Sequence, residues 1–162
     1  MRRVATLYGD RTAVCDEYGK HFGCGATVTY RELAVMANRL ANSFLGLGLR
    51  RGDRVAVQTG TGLGHVLCLL GLAKAGLAAV PIDRSFTPAE TLYQLGDSGA
   101  RALVIDEDLY RANLEGAGTD LSVELVVGIG GPESARTIWR SCSGPALARS
   151  PGWRWRKTTW PP

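Results

Sequence analysis

The stretch of sequence that decides the fold is DRVAVQTGTGLGHVLCLLGLAKAGLAAVPID, residues 53–83. Its first part, residues 53–58, is rich in β-branched residues and predicts a short strand. A glycine-rich turn at residues 59–64 then leads into an apolar segment that predicts a buried helix. Residues 77–82 predict the next strand, and Pro81 places its end at the rim of a sheet. A strand, a helix and a strand of these lengths indicate a parallel βαβ unit.

Upstream, a capping box predicts where an amphipathic helix begins. Thr29 and Glu32 have the spacing at which each side chain bonds to the other residue's backbone amide. Gly46 and Gly48 predict the end of this helix. Its apolar stripe has spacings of three and four residues: Leu33, Met36, Ala37, Leu40, Phe44 and Leu47. A weak strand candidate, Ala13 to Cys15, and a loop through Gly25 precede it.

Downstream of residue 83, predicted helices and strands alternate again. Thr87 predicts the N-cap of a helix with Pro88 at its first position, and Gly96 and Gly99 predict its end. Strands are expected at residues 102–105 and 124–129, with a poor helix through residue 114 between them.

These elements predict an α/β fold with a parallel or mostly parallel sheet. We expect residues 1–135 to form one partial domain and residues 136–162 to lie outside it as a tail. Residues 1–135 carry 13 Lys/Arg and all 15 Asp/Glu, whereas residues 136–162 carry 6 Lys/Arg and no acid. The basic pI therefore belongs to the tail, and it is weak evidence for a nucleic-acid partner.

The tail holds all four tryptophans, Trp139, Trp153, Trp155 and Trp160. Arg154–Lys157 has the charge and the aromatic residues to bind anionic membranes or nucleic acid. The same composition fits a disordered terminus or a segment read in a shifted frame, and we favour these two explanations.

The glycine-rich turn is the first candidate site. Gly60, Gly62 and Gly64 between a strand and a helix, with Asp83 ending the next strand, imitate a dinucleotide-binding fingerprint. His65 stands where the third glycine is needed for close packing of helix and strand. We therefore interpret the turn as structural and keep a small NAD(P)-binding domain as an alternative.

Other side chains offer little chemistry. His65 has no identifiable partner for general-base catalysis. Cys15, Cys24, Cys68 and Cys142 are too widely spaced for a metal or redox motif, and Cys68 is expected in the core. The sequence lacks an export signal and an apolar run of spanning length, which predicts a cytoplasmic protein.

The order of motifs resembles the front end of the AMP-forming adenylating enzymes: acyl-CoA synthetases, luciferases and the adenylation domains of nonribosomal peptide synthetases. Five motifs between about Arg11 and Gly131 carry the resemblance: Val28–Leu33 with Ala37–Ala41, Gly52–Val57, Gly71–Asp83, Thr87–Glu90, and Gln94–Leu95 with Asp97–Ala100. The resemblance is slightly greater to the acyl-CoA synthetases.

This resemblance implies activation of a carboxylate by ATP, with Mg, to an acyl-adenylate, and then transfer to CoA or a carrier-protein thiol. The family's phosphate loop ends in Pro-Lys-Gly, and the 162 residues contain no such sequence. The family's later acidic motif and its C-terminal domain with a catalytic lysine are also absent. We therefore assign no catalytic, cofactor-binding or metal-binding residue, and we expect a truncated enzyme that is inactive alone.

An alternative from another class is a non-catalytic interaction module. When a segment is separated from a larger protein, the apolar surface that packed against the rest of that protein becomes exposed. Such exposed apolar surface favours binding to other proteins. The partner would be the remainder of an adenylating enzyme or a second copy of the chain.

Overall fold

The computed structural model describes residues 2–16, 26–114 and 121–129. The elements follow in the order α1 (Arg2–Leu7), β1 (Thr12–Asp16), β2 (Ala26–Thr29), α2 (Tyr30–Gly46), β3 (Arg54–Gln58), α3 (Leu63–Ala75), β4 (Ala78–Pro81), α4 (Pro88–Ser98), β5 (Ala102–Asp106), α5 (Glu107–Asn113) and β6 (Leu125–Ile129). Two compact units share them. The first unit is Met1–Asp53 with Gly60–Ala79, and the second is Arg54–Thr59 with Val80–Pro162.

In the first unit, an antiparallel ribbon of β1 and β2 accompanies helices α1, α2 and α3. The ribbon pairs Thr12 with Thr29 and Asp16 with Ala26. An apolar cluster unites ribbon and helices through Val28, Leu33, Leu63 and Leu67. The predicted strand at residues 13–15 is confirmed, whereas α1 and β2 were not predicted.

A polar contact joins α2 to α3 in the same unit. The Lys74 Nζ atom donates to Asn38 Oδ1 at 2.5 Å, and it lies 3.4 Å from the carbonyl oxygen of Ala34. The helices also approach closely at Gly71, where an added Cβ would lie 3.0 Å from the Leu40 side chain. Lys74 and Gly71 both belong to motifs that carried the resemblance, and here they act in helix packing.

The second unit is built on the sheet, whose strands lie in the order β4-β3-β5-β6. Strands β3 and β5 pair in parallel, with Gln58 opposite Ile105. Strands β5 and β6 also pair in parallel, with Asp106 opposite Ile129. The expected parallel sheet is confirmed, and Pro81 ends the edge strand β4 as predicted.

Helices α4 and α5 cover one face of this sheet. Their Leu95 and Tyr110 side chains pack with Ala56, Leu103 and Val126 of the strands in one buried cluster. Ala56 pairs with Leu103 and Leu103 with Val126, so these three strand residues lie on the same face of the sheet.

The helix boundaries follow the capping signals with one exception. The predicted capping box forms at Thr29 with Glu32, and the predicted N-cap Thr87 forms a second capping box with Glu90. Gly99 ends α4 in the left-handed conformation, with φ of 58°. Gly96 does not end it, because the helix continues through Ser98; that part of the prediction was wrong. An isolated glycine lowers helix stability without breaking the helix.

No described helix is long and apolar enough to span a membrane. The predicted tail, with Trp139, Trp153, Trp155, Trp160 and Cys142, lies outside the described residues, as does Cys24. The division at residue 135 and the cytoplasmic location stay predictions.

Candidate functional site

The glycine-rich turn begins α3 without a capping side chain of its own. Gly62 is the N-cap residue and has φ of 152°, a conformation that favours glycine. The backbone amide of Leu63 instead donates to the Asp16 Oδ2 atom at 2.8 Å. Asp16 is the last residue of β1 and is only 8% exposed. An acid from the ribbon therefore caps the helix.

This contact argues against a dinucleotide site at the turn. A pyrophosphate binds to a helix N-terminus because free backbone amides and the helix dipole attract an anion. Here the carboxylate of Asp16 already holds the Leu63 amide, and Asp16 Oδ2 would lie 3.0 Å from a Cβ added at Gly62. The contact with Asp16 gives this turn a structural role at the start of α3.

His65 counted against the dinucleotide fingerprint, and Asp83 was the acidic residue of that fingerprint. His65 lies half-buried in the first turn of α3. The carboxylate of Asp83, in the second unit, accepts hydrogen bonds from the Ser85 amide at 2.8 Å and the Ser85 hydroxyl at 2.7 Å. These bonds, the amide first, hold the pKa of Asp83 below its usual value. Asp83 thus stabilises the loop after β4.

The carboxyl edge of the sheet holds the polar groups that sequence reasoning missed. Gln58, at the end of β3, is 1% exposed. Its Nε2 atom donates to the Asp83 carbonyl and to the Thr91 hydroxyl, each at 3.0 Å. Both partners accept, so both amide hydrogens are used. Gln58 therefore fixes the start of the loop after β4 to α4.

A second contact fixes the same loop to β5. Arg84 lies in the loop, and its Nε atom is 3.3 Å from the Oδ2 atom of Asp106, the last residue of β5. Its Nη2 atom is 3.7 Å from Asp108 Oδ2. The Asp106 side chain is 2% exposed and that of Arg84 38%. A buried carboxylate thus holds a half-exposed guanidinium at the edge where ligands bind in open α/β sheets.

Among the described residues, no group of three or more His, Cys, Asp or Glu could hold a metal ion. Cys15 is exposed and Cys68 is buried in α3, as expected for the latter. At the carboxyl edge, the Ser85 hydroxyl donates to the carboxylate of Asp83, two residues before it in the same loop. The described chemistry there is that of hydrogen-bond donors and charges.

Comparison with known proteins identifies the family. The model of the family described as "AMP-binding enzyme" matches residues 1–146. This chain belongs to the AMP-binding enzyme family. The match includes the 11–131 range of the five motifs and extends past it at both ends.

Curated relatives include CoA ligases and a plipastatin synthase subunit. The chain is 34% identical over 128 residues to crotonobetaine/carnitine–CoA ligase of Salmonella paratyphi A, a match covering 77% of the chain and 24% of that protein. It is 35% identical over 107 residues to long-chain-fatty-acid–CoA ligase of Salmonella typhimurium, covering 65% and 18%. It is 46% identical over 82 residues to a plipastatin synthase of Bacillus subtilis, covering 50% and 3%.

Solved structures agree with the fold. The anthranilate CoA ligase AuaEII, in complex with anthranoyl-AMP, superposes with a TM-score of 0.69 at 27% identity, covering 79% of this chain and 23% of that one. The N-terminal domain of FACL13 from Mycobacterium tuberculosis gives 0.68 at 25% identity, covering 78% and 32%. The chain spans about a quarter or less of the length of the curated relatives it matches. It corresponds to the N-terminal portion of this family.

Proposed function

We propose that this chain is scaffold of an ATP-dependent, AMP-forming carboxylate ligase, and that the 162 residues alone do not catalyse adenylation. The family match supports the reaction class. The roles of the motif residues support a scaffold: Thr29 and Glu32 cap α2, and Lys74 joins α3 to α2. The capping bonds of Thr29 and Glu32 and the contact between Lys74 and Asn38 are the main support for the scaffold role.

The described residues do not fit the phosphate groups of ATP at the glycine-rich turn, because Asp16 occupies the N-terminus of α3. They also contain no group of three or more His, Cys, Asp or Glu that could hold a metal ion. We propose that ATP, Mg and the acyl-accepting thiol are bound by residues outside the described part.

Among the branches of the family, we propose the CoA ligases. The matches to CoA ligases extend over 65–77% of the chain, whereas the more identical match to plipastatin synthase covers half of it. A thiol acceptor of the CoA type follows from this proposal, and the carboxylate substrate is left open.

As partner we propose the remainder of such a ligase. Large apolar side chains are exposed in both units, and they support a surface that packs against further protein. They are Val4, Leu7, Tyr8, Val35 and Leu45 in the first unit and Tyr93 in the second.

ATP–pyrophosphate exchange tests the proposal of inactivity. The purified 162-residue chain is incubated with labelled pyrophosphate, ATP, Mg²⁺ and a panel of aliphatic and aromatic carboxylates. We expect exchange no faster than in a protein-free blank, while a complete crotonobetaine/carnitine–CoA ligase with its own substrate serves as the positive control. Carboxylate-dependent exchange by the chain would refute the proposal.

A further inference from the structure

Arg84 lies above the point where the strand order of the sheet reverses. The chain passes from β3 to β4 on one side and then returns to β5 on the other side of β3. Ligands of open α/β sheets bind outside the carboxyl ends of the strands at such a point. Arg84 follows β4 and Asp106 ends β5, so their contact spans the carboxyl end of β3, a distance of about 10 Å between the outer strands.

Two buried polar side chains fix the loop that carries Arg84. Gln58 is 1% exposed and holds the carbonyl of Asp83, the residue before Arg84. Asp106 is also 1% exposed and holds the Nε side of the guanidinium. A guanidinium positioned by a buried carboxylate loses less conformational entropy when it binds a ligand.

The guanidinium retains hydrogen-bonding capacity. It has five N–H donors. The contact at 3.3 Å between Nε and Asp106 is an ion pair without hydrogen-bond alignment, and the 3.7 Å contact to Asp108 is longer than a hydrogen bond. Asp108 is 66% exposed, so solvent weakens its competition for the guanidinium.

We propose that Arg84 binds an oxyanion, a carboxylate or a phosphate, at the carboxyl edge between β3 and β5. The planar fork of the guanidinium matches the two oxygens of either group. Asp106 orients Arg84 as a positioning residue, and Asp108 is a competing anion that the ligand displaces. This site goes beyond the proposed function and does not require that the chain adenylate anything.

The test is a titration of the full ¹⁵N-labelled chain with sodium phosphate and, separately, sodium acetate. Ionic strength is held constant with sodium chloride, and the backbone amides of Asp83, Ser85 and Phe86 report binding. We expect a saturable shift of these amides. Arg84→Lys keeps the charge but loses the fork, and it should weaken binding about tenfold. Asp108→Asn should tighten binding about threefold because it removes the competing anion.

Arg101→Lys is the matched control. Arg101 lies before β5 at the opposite edge of the sheet, paired with Glu124, and its change should leave binding unaltered. Saturation with phosphate alone or with acetate alone supports the site and names its ligand. The proposal fails if neither anion saturates, or if both Arg84→Lys and Asp108→Asn bind as the wild type does. If Arg84→Lys does not fold, the anion affinity of Asp108→Asn alone tests the proposal, which fails if that affinity equals the wild-type value.

Discussion

Asp16 caps α3 although 47 residues separate it from Leu63. The glycine-rich turn supplies no local capping side chain, since Gly62 is the N-cap residue. One carboxylate therefore satisfies a helix amide and ties the ribbon to the helix.

Removing this carboxylate should destabilise the chain. We expect Asp16→Ala to lower the free energy of unfolding by about 1–3 kcal/mol, because the Leu63 amide loses its buried partner. Asp16→Asn keeps an acceptor oxygen and should cost less. Urea denaturation followed by circular dichroism measures both variants, and an Asp16→Ala midpoint equal to that of the wild type would contradict the capping role.

At the scale of elements, substitution by alanine should have opposite effects on stability at two glycines, one inside α4 and one at its end. Gly96 lies inside the helix with nothing within 4 Å of an added Cβ. Gly99 has φ of 58°, and an added Cβ would lie 2.7 Å from the Arg54 side chain. Gly96→Ala should therefore stabilise by about 0.5–1 kcal/mol. Gly99→Ala should destabilise by about 1 kcal/mol or more.

Thermal unfolding of the two alanine variants against the wild type measures this difference. Each variant controls for the added methyl group of the other. A Gly96→Ala variant that melts below Gly99→Ala would show that the assigned end of α4 is misplaced.

The capping boxes make α2 and α4 sensitive to acid. Thr29 lowers the pKa of Glu32 through its backbone amide and then its hydroxyl, and Thr87 does the same for Glu90. Because each folded-state pKa lies below the ordinary 4.5, the stabilisation is present above that pH and is lost as the pH falls through the folded-state pKa. Glu32→Gln and Glu90→Gln should each reduce the loss of stability below about pH 4.5.

Denaturation midpoints between pH 3 and pH 6 check this expectation. Glu107→Gln is a useful comparison, since Glu107 pairs with Arg111 and takes no part in a capping box. If the midpoints of Glu32→Gln and Glu90→Gln both fell with decreasing pH as steeply as that of the wild type, the expected acid sensitivity of the capping boxes would be contradicted.

The signals that sequence reasoning could use were local. Thr29 and Glu32, or Thr87 and Glu90, are three residues apart, so their spacing alone predicts the contact. The alternation of strands and helices likewise predicted the parallel sheet. Contacts between distant residues were out of reach, because Asp16 with Leu63, Gln58 with Thr91 and Arg84 with Asp106 depend on strand register and sheet order.

At the scale of the whole molecule, the matched part of the chain covers 24% of a crotonobetaine/carnitine–CoA ligase and is 34% identical to it. Helix caps and the α2–α3 contact account for motif residues that resemble the family. A scaffold of this kind should be exchangeable between relatives, because its motif residues are fixed by capping and packing contacts.

The most direct test is ATP–pyrophosphate exchange by a chimera. The matching N-terminal segment of the crotonobetaine/carnitine–CoA ligase is replaced by the corresponding segment of this chain, 77% of its length. If these residues are scaffold, the folded chimera retains carboxylate-dependent exchange within about tenfold of the parent ligase, a loss of about 1.4 kcal/mol in transition-state stabilisation. A chimera that folds with the parent's melting temperature and shows no exchange would contradict the account.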